Sequence, residues 1–164
     1  MPLAAGQTIP DVALTAITDD GPVEMDRDTL FNGKSVVLFA VPGAFTPTCS
    51  NDHLPGFIRH AGSIKAKGID TIAVLAVNDH HVMSAWREAS GAGNDVLFLA
   101  DGSALFTKAV DMMSDSTAFG MGIRSQRYAA IIKNGTVSHV SVESKPGQAI
   151  DSGAQAVLAM LDTK

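Results

Sequence analysis

The stretch from Ser35 to Ser50, SVVLFAVPGAFTPTCS, joins an unbroken apolar run to a proline-framed turn and the one cysteine of the chain, Cys49. A short apolar run without alternation reads as a strand buried on both faces, the habit of parallel sheets. A second run of the same kind, TIAVLAV, occupies residues 71–77. Residues 48–67 between them are long enough for a crossover helix, with Gly68 in the place of a left-handed cap. Together they predict a βαβ unit. Cys49 then falls in the loop leaving the carboxyl end of a central strand, where open α/β sheets place their ligand sites.

Residues 81–90 carry Val82, Ala85, Trp86 and Ala89 at helical spacing, and Gly91-Ala92-Gly93 stops that helix before an apolar strand at 96–100. A shorter helix near 103–110 and a glycine-rich loop follow. Residues 128–133 and 136–142 flank Asn134-Gly135, the strongest short hairpin signal. Residues 149–161 space Ile150, Ala154, Val157, Leu158 and Leu161 as an amphipathic helix. This order predicts an α/β, thioredoxin-like fold: a central mixed sheet with flanking helices and amino-terminal additions around residues 12–25. The length of 164 residues predicts a single domain, 1–164.

Composition excludes several functions. A hydrophobic fraction of 46% with 18% charged residues is that of a folded chain, not a disordered one. A net charge of -5 without clustered Lys and Arg argues against nucleic acid as a partner. No run approaches the roughly 20 apolar residues that span a bilayer, and the first residues form neither a basic nor an apolar leader, so no membrane association and a cytoplasmic location are expected. A lone cysteine cannot form an internal disulfide; the thiol is inert, reactive, or a link to another molecule.

The surroundings of Cys49 favour reactivity. Thr46-Pro47 is a helix start, with the threonine able to cap and the proline in the first helical position. Cys49 falls in the first turn, where unpaired amides and the helix dipole favour an anion, so a lowered thiol pKa is expected. A shift from about 8.5 to about 6 raises the thiolate fraction at neutral pH roughly thirtyfold. Nucleophilicity per thiolate falls roughly tenfold, leaving about a threefold gain. Ionisation alone is therefore insufficient, and fixed donors for developing charge are required. The candidates are the Thr46 hydroxyl, the first-turn amides and an arginine. In this fold the first hairpin strand runs antiparallel beside the central strand, which brings Arg127, just before Tyr128, next to the loop. Arg124 competes, but a strand-anchored arginine is held more rigidly, while Arg59 and Arg87 read as solvated charges on helices.

Free cysteine is often simply buried. His53, on the cysteine helix, is either a partner within the site or a surface residue. His80 and His81 are adjacent and lack the i, i+4 spacing of a metal-binding pair, and no metal is expected with His53, His60 or His139 either. Trp86 and Met112-Met113 read as packing residues, and Pro55 as a kink in the cysteine helix.

Pro42, Thr46 and Cys49, spaced as proline, three residues, threonine, two residues, cysteine, together with HLPGF, AVNDHHVMSAW, LADGS and GIRSQRY, resemble the peroxiredoxins, and within them the type II atypical, peroxiredoxin-5-like group. The resemblance covers nearly the whole chain. It implies a peroxidase acting on hydrogen peroxide and organic hydroperoxides, with Cys49 as the attacking thiolate, Pro42 shielding the pocket, Thr46 contacting thiolate and peroxide, and Arg127 holding the substrate. Phe45, His53, Phe119 and Ile123 are the implied pocket residues, within a loop at 119–123 for the last two. It further implies a homodimer and no metal or organic cofactor.

The chain departs from many such relatives in lacking a second cysteine: it reads Ile72-Ala73-Val74-Leu75 and Ala149-Ile150-Asp151-Ser152 where they carry one. A one-cysteine cycle follows, completed by an external thiol such as glutathione, glutaredoxin or thioredoxin. A redox sensor whose assembly responds to oxidation is the competing class, separated by whether peroxide is consumed repeatedly. A thiol transferase is a weaker alternative, because Thr46 stands where a Cys-x-x-Cys motif has its first cysteine.

Overall fold

A computed structural model describes residues 1–145 and 147–162. Seven strands form one sheet in the order β2-β1-β5-β4-β3-β8-β9: β1 Leu14–Thr18, β2 Gly21–Met25, β3 Ser35–Val41, β4 Thr71–Ala76, β5 Leu97–Ala100, β8 Tyr128–Lys133 and β9 Thr136–Val142. A separate two-stranded ribbon pairs β6, Met113–Asp115, with β7, Ile123–Ser125. β3 runs parallel to β4, and β4 to β5, while β8 lies antiparallel on the other side of β3. The sheet is therefore mixed, with the expected βαβαβ frame at its centre. The helices are α1 Arg27–Phe31, α2 Leu54–Ala66, α3 His80–Ser90, α4 Leu105–Ala109 and α5 Ala154–Asp162.

The continuous apolar run of β3 serves two cores. Val37, Phe39 and Val41 face a layer containing Phe57, Ile64, Trp86 and Val157. Val36, Leu38 and Ala40 face a second layer with Phe31, Leu75, Phe106 and Tyr128. Alternate side chains of a strand point to opposite faces, so a strand covered on both sides carries no polar residue in its period.

Local chemistry sets several boundaries. Asp79 caps α3, its side chain accepting from the Val82 N–H at 2.9 Å, so that helix begins one residue before the expected 81. Asn134 and Gly135 have φ of 50° and 79°, the left-handed pair that a two-residue hairpin turn demands. The helix expected over 103–110 is confined to Leu105–Ala109, because Ala104 has φ 58° and the Asp101 carboxylate accepts the N–H groups of Phe106 and Thr107. The last helix was expected from 149 and starts at Ala154: the Asp151 and Ser152 N–H groups turn instead to the Glu143 carboxylate. The short α1 and the β6–β7 ribbon carry no distinctive sequence period and were not anticipated.

Candidate active site

Register brings the site together. The pairing of Ala40 with Tyr128 places the start of β8 against the end of β3, so Arg127 lies beside the turn that leaves the central strand. Pro42 opens that turn half-buried, and Phe45 sits at φ 63°, a conformation costly for a residue with a Cβ and found where the surroundings over-determine the backbone. The Phe45 ring is exposed and leans toward Trp86, with centroids 6.5 Å apart.

Helical structure starts at Pro47, with the Thr46 carbonyl accepting the Ser50 N–H at 2.9 Å. The Thr46 backbone thus caps as expected. Its hydroxyl does not: Oγ1 donates to the Gly43 carbonyl at 2.7 Å. With its proton committed, the hydroxyl offers lone pairs to the site, which corrects the expectation that it acts as a donor.

Cys49 follows in the first turn with 0% exposure. From Cys49 to His53 the helix widens into a π-turn, in which the Leu54 N–H reaches five residues back to the Cys49 carbonyl. Pro55 comes next and has no N–H to give. The wide turn carries the helix past that missing donor, so the expected kink takes the form of a π-bulge, a feature frequent at functional sites.

Arg127, 4% exposed, donates from one terminal nitrogen to Cys49 Sγ at 3.1 Å and from the other to His53 Nδ1 at 2.9 Å. A guanidinium only donates, so Nδ1 must be the unprotonated nitrogen of His53. Its proton is therefore on Nε2, which donates to the Ser152 carbonyl at 2.8 Å. Burial pushes the His53 imidazole down to about 4, and the Arg127 charge acts in the same direction, against the pull of the Ser152 carbonyl. The ring also packs against Phe39 and Phe57, at centroid distances of 4.9 and 5.6 Å. His53 is thus placed behind Arg127 with both nitrogens engaged.

The other arginine has a different setting. Arg124 donates to the carbonyls of Met121 and Val77, at 2.8 and 2.9 Å, tying the loop before β7 to the end of β4. Topology therefore distinguishes the two: Arg127 reaches the sulfur and Arg124 braces backbone.

The loop at 119–123 does approach the turn, through Met121 rather than through Phe119 or Ile123. A Cβ at Gly43 would stand 3.4 Å from Met121 Cε and 3.2 Å from the Thr46 methyl. Phe119 is 82% exposed and Ile123 is exposed as well, so within one chain neither encloses the sulfur. A cleft of about 580 Å³ is lined by His53 together with Asp52, Arg59, His60, Ile150 and Gln155, among others; its lining does not include Cys49, Thr46 or Arg127.

Two further bonds hold the cysteine turn. Trp86 Nε1 donates to Ser50 Oγ at 3.0 Å, and Thr48 Oγ1 donates to the Gly147 carbonyl at 3.0 Å. Trp86 therefore packs as expected and also fastens the turn. Ser50, Thr48, Ser152 and Glu143 were not identified beforehand; buried Ser152 is an isolated hydroxyl in a polar loop, with no local pattern to mark it.

A thiol fully shielded from water, touched by a guanidinium and set in a first helical turn, can serve as a nucleophile toward a small electrophile. The redoxin family model matches residues 4–158. Peroxiredoxin-2C of Oryza sativa subsp. japonica is 45% identical over 98% of this chain and 99% of its own. Reduced Prx3 of Vibrio vulnificus, crystallised in complex with hydrogen peroxide, is 52% identical and superposes with a TM-score of 0.91 over 98% of this chain and 99% of its own. The Plasmodium falciparum antioxidant protein, a 1-Cys peroxiredoxin, is 28% identical with a TM-score of 0.87 over 99% of this chain and 100% of its own. With a redoxin match across nearly its whole length and peroxiredoxins as full-length relatives, this chain belongs to the peroxiredoxins, the thiol peroxidases of the redoxin family.

Proposed function

We propose that the chain reduces hydrogen peroxide and organic hydroperoxides through Cys49 alone, with an external thiol completing the cycle. The observation that carries the reading is the 3.1 Å contact from Arg127 to Cys49 Sγ. A hydrogen bond from a guanidinium to sulfur is of the charge-assisted kind that stabilises the thiolate, and the helix start adds to it. The thiolate attacks one peroxide oxygen. The O–O bond breaks, sulfur is oxidised by two electrons to sulfenic acid, and the departing oxygen takes up a proton and leaves as water or an alcohol. Thr46 Oγ1, donating to Gly43, accepts the peroxide O–H and orients it, and Arg127 faces the negative charge that develops as the bond breaks. Pro42 and Phe45 flank the approach. The peroxide held by the Vibrio protein supports hydrogen peroxide as the smallest substrate.

The sequence holds one cysteine, so the sulfenic acid has no partner thiol in its own chain. It condenses with an external thiol to a mixed disulfide, releasing water, and a second thiol attacks the external sulfur of that disulfide, forming the external disulfide and releasing the Cys49 thiolate. Glutathione, glutaredoxin and thioredoxin are the reductants we infer. A homodimer packed on the exposed Phe119 and Ile123, beside the turn, is the inferred assembly, and the cytoplasm the inferred location. Among the described residues no helix is long and apolar enough to cross a membrane.

The test is turnover of hydrogen peroxide and an organic hydroperoxide with each reductant, using wild type and Cys49→Ser. Repeated turnover in wild type and none in the variant is expected. One equivalent consumed per subunit would favour a sensor, and a rapidly formed, efficiently reduced Cys49–Cys49 disulfide between subunits would overturn the external-thiol cycle.

A further inference from the structure

Arg127 is held from behind by a chain of bonds that runs away from the sulfur. One terminal nitrogen donates to Cys49 Sγ and the other to His53 Nδ1, so the His53 contact helps to set the plane in which the guanidinium meets the sulfur. His53 can accept at Nδ1 only while its proton stays on Nε2, and that proton needs an acceptor. The Ser152 carbonyl supplies it. Ser152 is itself clamped: its N–H and its hydroxyl both donate to Glu143 Oε2, at 3.0 and 2.8 Å, and the Asp151 N–H donates to Oε1 at 3.3 Å. Burial raises the Glu143 carboxyl, but the bonds from Ser152 and its neighbours outweigh that and hold it below the usual range.

The loop cannot easily turn elsewhere. A Cβ on Gly153 would lie 2.5 Å from the Ala149 carbonyl oxygen, a distance no side chain tolerates, so the backbone closes tightly just after Ser152. The Glu143 N–H also donates to the Arg127 carbonyl at 2.9 Å. The carboxylate that clamps the loop is therefore fastened to the backbone of the arginine whose head the loop orients.

We propose that Glu143 and Ser152 are positioning residues for peroxide reduction: they fix the carbonyl that sets the His53 tautomer, and His53 in turn aims Arg127 at Cys49. This rests on the peroxidase reading above. A staple that only closed a loop would need no particular imidazole tautomer and would not end on the reacting sulfur. Partners that orient a metal-ligating histidine typically cost about tenfold or more in activity when removed, and the partners that orient His53 are placed on the same scale.

The experiment compares wild type with Glu143→Gln and Ser152→Ala in two measurements. The first is the second-order rate of Cys49 oxidation by hydrogen peroxide, followed by the fluorescence of Trp86, which is bonded to the cysteine turn. The second is the tautomer of His53, read from long-range nitrogen–proton correlations of the imidazole and assigned among the 5 histidines by its absence in His53→Asn. Wild type should show the Nε2–H form alone. Glu143→Gln should slow oxidation about tenfold and bring His53 into exchange between tautomers. Ser152→Ala loses one bond, keeps its N–H, and should show both effects more weakly; it decides the matter if Glu143→Gln does not fold. A slower rate with an unchanged tautomer, a changed tautomer with an unchanged rate, or no change in either would overturn the relay. A wild type that did not react with peroxide would overturn the peroxidase reading and the positioning role with it, whereas a reactive wild type with unaffected variants overturns the relay alone.

Discussion

At Thr46 the direction of one hydrogen bond decides what the residue does. Its proton goes to Gly43, so Thr46→Ser, which keeps both the donor and the lone pairs, should retain most activity. Thr46→Val keeps the shape and removes the oxygen; a loss of about 2 kcal/mol of transition-state stabilisation, roughly thirtyfold in the rate with peroxide, is expected from stopped-flow measurements. His53 carries a different signature. Its imidazole is neutral in the fold down to about 4, while in the unfolded chain it titrates near 6.5, so between those values the unfolded state binds the extra proton. Stability from this group is therefore full above 6.5 and declines as pH falls toward 4. Urea unfolding should show about 2 kcal/mol less stability at pH 4.5 than at pH 7 from this residue, and His53→Asn should remove that part of the decline.

The cysteine helix is an element under two opposing demands. Reaction with peroxide needs the first turn closed around a shielded sulfur, and reaction with a second thiol needs that sulfur reached. Local opening is therefore part of the cycle, and the bonds on the π-turn set how often it occurs. Trp86→Phe preserves an aromatic ring against Phe98, where the native rings meet edge-on at 5.5 Å, and removes the donor to Ser50. Weakening the turn by about 1 kcal/mol should speed labelling of Cys49 by a maleimide under native conditions about fivefold. Labelling at the wild-type rate would show that this bond does not gate access. The π-turn follows in part from sequence, since a proline six residues after the cysteine removes a helical donor, but a kink and a wide turn satisfy that constraint equally in one dimension. In the fold the turn is wide, and Leu54 and Phe57, which follow it, are buried in the core.

Across the whole molecule, two of the exposed apolar groups are aromatic rings carried by segments that meet at the reactive turn. Phe45 and Phe119 are both largely in solvent, and the loop carrying Phe119 meets the Gly43 turn through Met121. If that surface joins two copies, Phe119→Asp should shift the protein from dimer to monomer in sedimentation velocity, with its circular dichroism unchanged. A wild type already monomeric at micromolar concentration would remove the surface from consideration.

Much of this architecture is local and so was legible in one dimension. The paired apolar runs mark central strands because both faces are covered, Asn134-Gly135 forces its own turn, and Pro42, Thr46 and Cys49 lie within one loop and the helix it starts. Even Arg127 could be preferred over Arg124, because β-sheet register converts a position in sequence into a position in space. What only the tertiary structure decided is everything that depends on contacts between distant segments. Arg127 meets Cys49 across 78 residues and His53 across 74, and His53 meets Ser152 across 99. The Thr46 hydroxyl could turn to a helix amide or to Gly43, and His53 could face solvent or the core, with the same residues on either side. A hydrogen bond has a direction as well as partners, and no spacing along the chain encodes that direction. It is set only when the sheet, the cysteine helix and the loop before α5 close on one another and the polar atoms buried between them take up partners.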